Sequence, residues 1–122
     1  MQLVPVRTIE KGEYGYYNML SLFIDGALMD DITYIEQVTF PIKTRIRKVT
    51  IISQIAPEEG PSKFVISDGA LNYENLILPV STRIKSFDTD LVVDVGNDFR
   101  FYCEESSGVQ SITLIIYYNL VE

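Results

Sequence analysis

The chain has 122 residues, ten basic and seventeen acidic, with a net charge of −7, no His, no Trp and Cys103 as the single cysteine. This length suits one domain. Without imidazole, every catalytic or metal arrangement that needs it is excluded from this chain acting alone, and one cysteine excludes disulfide frameworks and Cys-rich zinc sites. The acidic balance argues against nucleic acid or an anionic membrane as partner.

Ile, Val and Thr supply 34 residues, Phe and Tyr another 14, and Ala only three, a composition suited to pleated, half-buried surfaces rather than helices. Residues 1–12 mix Arg7, Glu10 and Lys11 among apolar side chains, unlike a signal peptide. No apolar run approaches a membrane span. The expectation is a soluble protein made in a cytoplasm.

In chain order, the first element is residues 14–24. Tyr17, Leu20, Ile24 and Leu28 fit helical spacing, while Tyr14, Tyr16, Leu20, Leu22 and Ile24 fit strand spacing; the composition favours strand. Asp25-Gly26 marks a turn. Val38, Phe40 and Ile42 then alternate with polar residues or proline, and Pro41 belongs at an edge or bulge. By Val49 and Ile51 the apolar residues have moved to odd positions, so the phase flips within residues 45–48, which predicts a bulge or a corner. A turn at 56–61 precedes a short strand around Phe64 and Ile66, and Asp68-Gly69 turns the chain again. Leu91 and Val93 mark a further strand, Gly96-Asn97 a turn, and Phe99, Phe101 and Cys103 a strand with one buried face. Past the turn at 104–108, the last strand is apolar on both faces. Ile112, Leu114, Ile116 and Tyr118 fill one, and Ile115, Tyr117 and Val121 load the other. Either a loop or the N-terminal arm covers the second face, or another subunit does.

Candidate chemistry is sparse. The adjacent pairs Asp30-Asp31, Glu58-Glu59 and Glu104-Glu105 point to opposite faces of an extended chain and read as solvated turn charges. Asp88, Asp90, Asp94 and Asp98 are interrupted by Leu91, Val92 and Val93, unlike a tight calcium loop. Cys103, on the Phe99 and Phe101 face, reads as a small core hydrophobe. No catalytic, metal or cofactor site can be assembled, and the chain is expected not to be an enzyme. Lys43, Arg45 and Arg47 share one face of an extended segment and suit acids of a neighbouring strand or of a partner protein. Tyr14, Tyr16 and Tyr17, with Tyr117 and Tyr118, are dense enough to serve as half-buried strand residues, interface anchors or a sugar-stacking surface. The candidate protein-interface set is Tyr14, Tyr16, Tyr17, Lys43, Arg45, Arg47, Ile115 and Tyr117.

Residues 38–118 resemble a β-sandwich module common in tailed-phage virion proteins. The likeness rests on a Pro-containing strand at 38–42 (VTFPI), a basic-apolar strand at 46–52 (IRKVTII), a short strand and turn at 63–69 (KFVISDG), the stretch 76–80, the corner 95–98 (VGND) before Phe99-Arg-Phe101, and a closing strand after 107–110 (SGVQ). It implies a head-decoration, head-fibre or tail-associated part, often trimeric, with no functional residue carried over. The reading is therefore all-β: a single antiparallel β-sandwich of jelly-roll type, with residues 1–37 as an N-terminal arm or additional strands and 38–122 as the sandwich module. Its expected role is a structural virion protein, a capsid decoration or auxiliary subunit that packs against capsid or tail subunits and forms a homo-oligomer in the virion. The alternative is a receptor- or carbohydrate-binding module of a tail or cell-surface assembly.

Overall fold

The computed structural model describes residues 2–12 and 15–121, with side chains from Asn18 onward. Nine strands follow one another: β1 (Gln2–Gly12), β2 (Gly15–Ala27), β3 (Ile32–Thr39), β4 (Thr44–Ile55), β5 (Ser62–Ser67), β6 (Tyr73–Leu78), β7 (Ile84–Val93), β8 (Asp98–Glu105) and β9 (Gln110–Leu120). They form a five-stranded sheet in the order β1-β2-β9-β4-β7 and a four-stranded sheet in the order β3-β8-β5-β6. All pairings are antiparallel.

β2 pairs with β9, β3 with β8, β4 with β7 and β5 with β6. The chain is thus one long hairpin, with its tip between β5 and β6, rolled so that successive strand pairs fall in alternate sheets. This is the β-sandwich expected from the sequence, wound as a jelly roll, with β1 added beside β2 as an edge strand. Residues 15–24 of the ambiguous 14–24 stretch are strand, Tyr14 lying outside the described residues, and β1, β2 and most of β3 lie within residues 1–37.

Period-two patterning builds the core. Leu22 of β2, Ile51 of β4 and Leu114 of β9 face Ile35 of β3, Phe64 of β5 and Phe101 of β8, all fully buried. The Phe64 and Phe101 rings stack with centroids 5.2 Å apart. Cys103 is buried among them.

The phase flip in β4 is a bulge. Its register against both β7 and β9 shifts between Ile46 and Lys48. Ile46 and Val49 both stay in the core, while Arg47 and Lys48 remain outside it.

Two expectations need correction. Asp25-Gly26 is not a turn between strands but a bulge inside β2, where the register to β9 shifts between Ile24 and Ala27. Gly26 takes φ +81° and its N–H reaches the Ser111 hydroxyl at 3.3 Å. Both a turn and this bulge call for a positive φ, which glycine supplies. Residues 38–42 are not one strand either: β3 ends at Thr39, and Pro41 lies in the corner before β4. Proline has no N–H to give a ladder. Phe40 turns inward against Tyr118, with ring centroids 5.4 Å apart.

Candidate interaction surface

The jelly roll gathers its connections at two ends. At one, the β2–β3, β4–β5, β6–β7 and β8–β9 loops are tied by Leu28 N–H to Val109 O at 3.2 Å and Ser81 N–H to Pro57 O at 2.9 Å. Ser62 and Ser107 hydroxyls donate to the Ser106 and Pro61 carbonyls at 2.7 and 3.0 Å. An open cleft of about 800 Å³ at this end is lined by Asp30, Glu58, Glu59, Glu105, Ser106 and Gln110 among others. Each adjacent acid pair is exposed, as expected of solvated turn charges. What pairwise reading missed is that acids from separate loops converge on one cleft, because only the fold brings the loop ends together.

Asp30 and Asp31 also fasten loops. Asp30 accepts from the Ser106 N–H at 2.8 Å and its hydroxyl at 3.0 Å. These bonds, the backbone one first, hold its carboxyl below the ordinary value. Asp31 accepts from the Tyr102 hydroxyl at 2.8 Å, and that bond is the main reason the phenol is held above its ordinary value.

The basic cluster finds its partners on the neighbouring strand. Lys43 Nζ lies 3.5 Å from Asp94, Arg45 Nε 3.5 Å from Asp90, and Arg47 Nη1 3.7 Å from the same Asp90 carboxylate. Arg47 Nε also donates to Asn119 Oδ1 at 3.2 Å. Asp90 of β7 and Asp94 just after it supply these acids within the chain. Because these pairs reach solvent, each contributes on the order of 0–1 kcal/mol; their main effect is to neutralise the cluster locally. Asp90 and Asp94 are thereby matched to cations. Among the described residues, no group of three His, Cys, Asp or Glu side chains is placed to hold a metal ion.

Ile115 and Tyr117 lie on the outer face of the five-stranded sheet. β9 is its middle strand, and its inner residues Ile112, Leu114 and Ile116 are fully buried. Ile115 stands opposite Ser21 of β2 and Thr50 of β4, and Tyr117 opposite Met19 and Lys48. The Lys48 ammonium sits 5.2 Å from the Tyr117 ring centroid. Met19, Phe23, Ile52, Ile115 and Tyr117 are half-buried, and Ile84 at the start of β7 is 60% exposed. The N-terminal strand does not cover this face: β1 pairs edge to edge with β2 within the same sheet. Tyr14 lies outside the described residues, as do the side chains of Tyr16 and Tyr17, whose backbone belongs to β2. The structure thus brings Arg45, Arg47, Ile115 and Tyr117 onto one sheet face, with Lys43 at its end.

Cys103 has no activating partner. Burial, and secondarily the charges of Asp30 and Asp31, push its thiol up to about 12, so it remains a protonated core residue.

No family model matches the chain, and no curated protein sequence matches it. Among solved structures it is similar to the nucleoplasmin-like N-terminal domain of Drosophila FKBP39, at 13% identity and TM-score 0.48 over 87% of this chain and 92% of that one. An exo-β-1,3-galactanase from Phanerochaete chrysosporium matches at 12% identity and TM-score 0.42, over 95% of this chain and 27% of that one. The capsular polysaccharide assembling protein CapF from Staphylococcus aureus matches at 13% and 0.38, over 99% and 30%. The chain spans less than a third of the latter two. At these identities and scores none of the three bears on what this chain does.

Proposed function

We propose that the protein is a structural subunit of a tailed-phage virion, a capsid decoration or auxiliary protein that works by packing against neighbouring subunits. The observation that carries the reading is the outer face of the five-stranded sheet, where Phe23, Ile52 and Ile115 form a half-buried apolar band on a rigid scaffold. Burying large apolar side chains contributes roughly 1.5–3 kcal/mol each, so covering this band is worth more to the protein than leaving it in water. The resemblance of residues 38–118 to phage sandwich modules supplies the kind of assembly.

The test is sedimentation of the purified chain with capsids encoded beside it. Association at a fixed ratio of chain to capsid subunit supports the reading. Failure to associate with any head or tail particle of that phage removes it.

A further inference from the structure

Resting on that reading of the sheet face, we infer that its partner is a second copy of the chain, docked face to face about a twofold axis near Ile115. Two observations single out a copy of itself.

The first is charge. A chain of −7 repels its own copy wherever its acids are presented. The surplus lies on the loops and the ends of the four-stranded sheet: Asp30 and Asp31, Glu58 and Glu59, Glu104 and Glu105. The five-stranded sheet is different. The outer residues of β2 and β9 from Met19 to Phe23 and from Thr113 to Asn119 include no charged side chain, and Asp25 is the next outer residue of β2. On β4 and β7 most outer charges sit beside an opposite one, and Lys85, registered against Ile51, lies over the Phe87 ring. Lys43, Arg45 and Arg47 meet Asp90 and Asp94, and Lys48 is registered against Asp88. These four cations and three acids leave the face close to neutral, so two identical copies meet across it without the acidic repulsion of the rest of the chain. A polar pair at its middle, the Thr50 and Ser86 hydroxyls at 2.8 Å, is already satisfied within the chain.

The second is area. β2, β9, β4 and β7 are 13, 11, 12 and 10 residues long. At the usual rise and strand spacing those four strands present a face of roughly 700 Å². A standard stable interface takes about 800 Å² from each partner, so the face is of the size a dimer needs. Sheet-on-sheet packing seats such faces about 10 Å apart with outer side chains interdigitated. Ile115 of β9, opposite Thr50 of β4, lies near the centre of these four strands, and the charged pairs of β4 and β7 sit toward one end of them.

Native mass spectrometry and sedimentation of the full chain test this; the native Cys103 is buried. The expected result is a mass of two chains, or an even multiple of one. Ile115→Glu should raise the dissociation constant at least a hundredfold, while Ile77→Glu, on the outer face of β6, leaves it unchanged. Should Ile115→Glu fail to fold, Ile115→Cys decides: a short bismaleimide should join its copies into dimers, and should not join copies of Ile77→Cys. A single-chain mass at tens of micromolar, an odd number of chains, or crosslinking through Ile77→Cys rather than Ile115→Cys overturns the inference. A monomer that still binds capsids defeats the self-pairing alone, whereas a dimer that binds no particle defeats the virion reading alone.

Discussion

Gly69 holds the tip of the hairpin. Its φ is +78°, and a Cβ added there would lie 2.6 Å from the Asp98 carbonyl oxygen. The neighbouring Asp68 carboxylate, buried, accepts from the Ala70 and Asn72 N–H groups at 2.8 and 3.2 Å and from the Asn72 side-chain amide at 3.0 Å. Gly69→Ala therefore meets both a backbone clash and an unfavourable conformation. We expect a loss of about 2 kcal/mol or more in urea unfolding; an unchanged midpoint would contradict the close approach.

Cys103 gives a pH signature at the same scale. In the unfolded chain its thiol ionises near 9 and in the folded chain near 12. Its contribution to stability is whole below pH 9 and is withdrawn as the pH climbs toward 12. Tyr102, also raised, acts in the same sense. Native protein at pH 8 should resist a thiol-specific reagent that labels it at once in denaturant, and stability should decline with alkalinity less steeply in Cys103→Ala. Fast labelling of the native protein would rule out the burial.

At the scale of elements, the bulge in β4 is the most informative feature. Ile46 and Val49 both face inward, so Arg47 is the extra residue against β9, while against β7 the extra residue lies on β7 between Asp88 and Leu91. A chain lacking Arg47 keeps Ile46 inward, Lys48 outward and Val49 inward. It should fold cooperatively with a loss of about 1–3 kcal/mol. A chain lacking Arg100 turns Phe101 and Cys103 out of the core and draws Glu104 in, and should show no cooperative transition by circular dichroism. Equal behaviour of the two deletions would sink this account.

The slip itself was legible in the sequence because apolar positions change parity between Phe40 and Val49. Asp25-Gly26 was misread because glycine signals a positive φ and not whether a turn or a bulge uses it. The clustering of Asp30 with Glu58, Glu59 and Glu105 was invisible because sequence neighbours on extended chain diverge, while the acids that meet come from separate loops. The basic cluster was half legible. Alternation put its side chains together, but that Asp90 and Asp94 would face them depends on β7 returning beside β4.

At the scale of the whole molecule, nearly all pairing is remote in sequence. Asn18 sits opposite Tyr118 and Thr39 opposite Asp98. Among the described pairings, only β1 with β2 and β5 with β6 join strands consecutive in sequence. Loops this long must be closed before their contacts contribute, which places all-β folding in the millisecond-to-second range.

The rolled hairpin also divides the molecule in a way that its compactness conceals. A cut between Ala70 and Leu71 leaves β1 to β5 on one piece and β6 to β9 on the other. Every strand pairing except β1 with β2 then joins one piece to the other, and β6 to β9 hold no pairing among themselves. The two pieces are interleaved halves, each the missing template of its counterpart. Made separately, neither should show a cooperative melt; mixed at equimolar ratio, they should recover the strand spectrum and melt of the intact chain. The protein is in this sense a split reporter whose seam is already drawn, and a piece that folds alone would refute that.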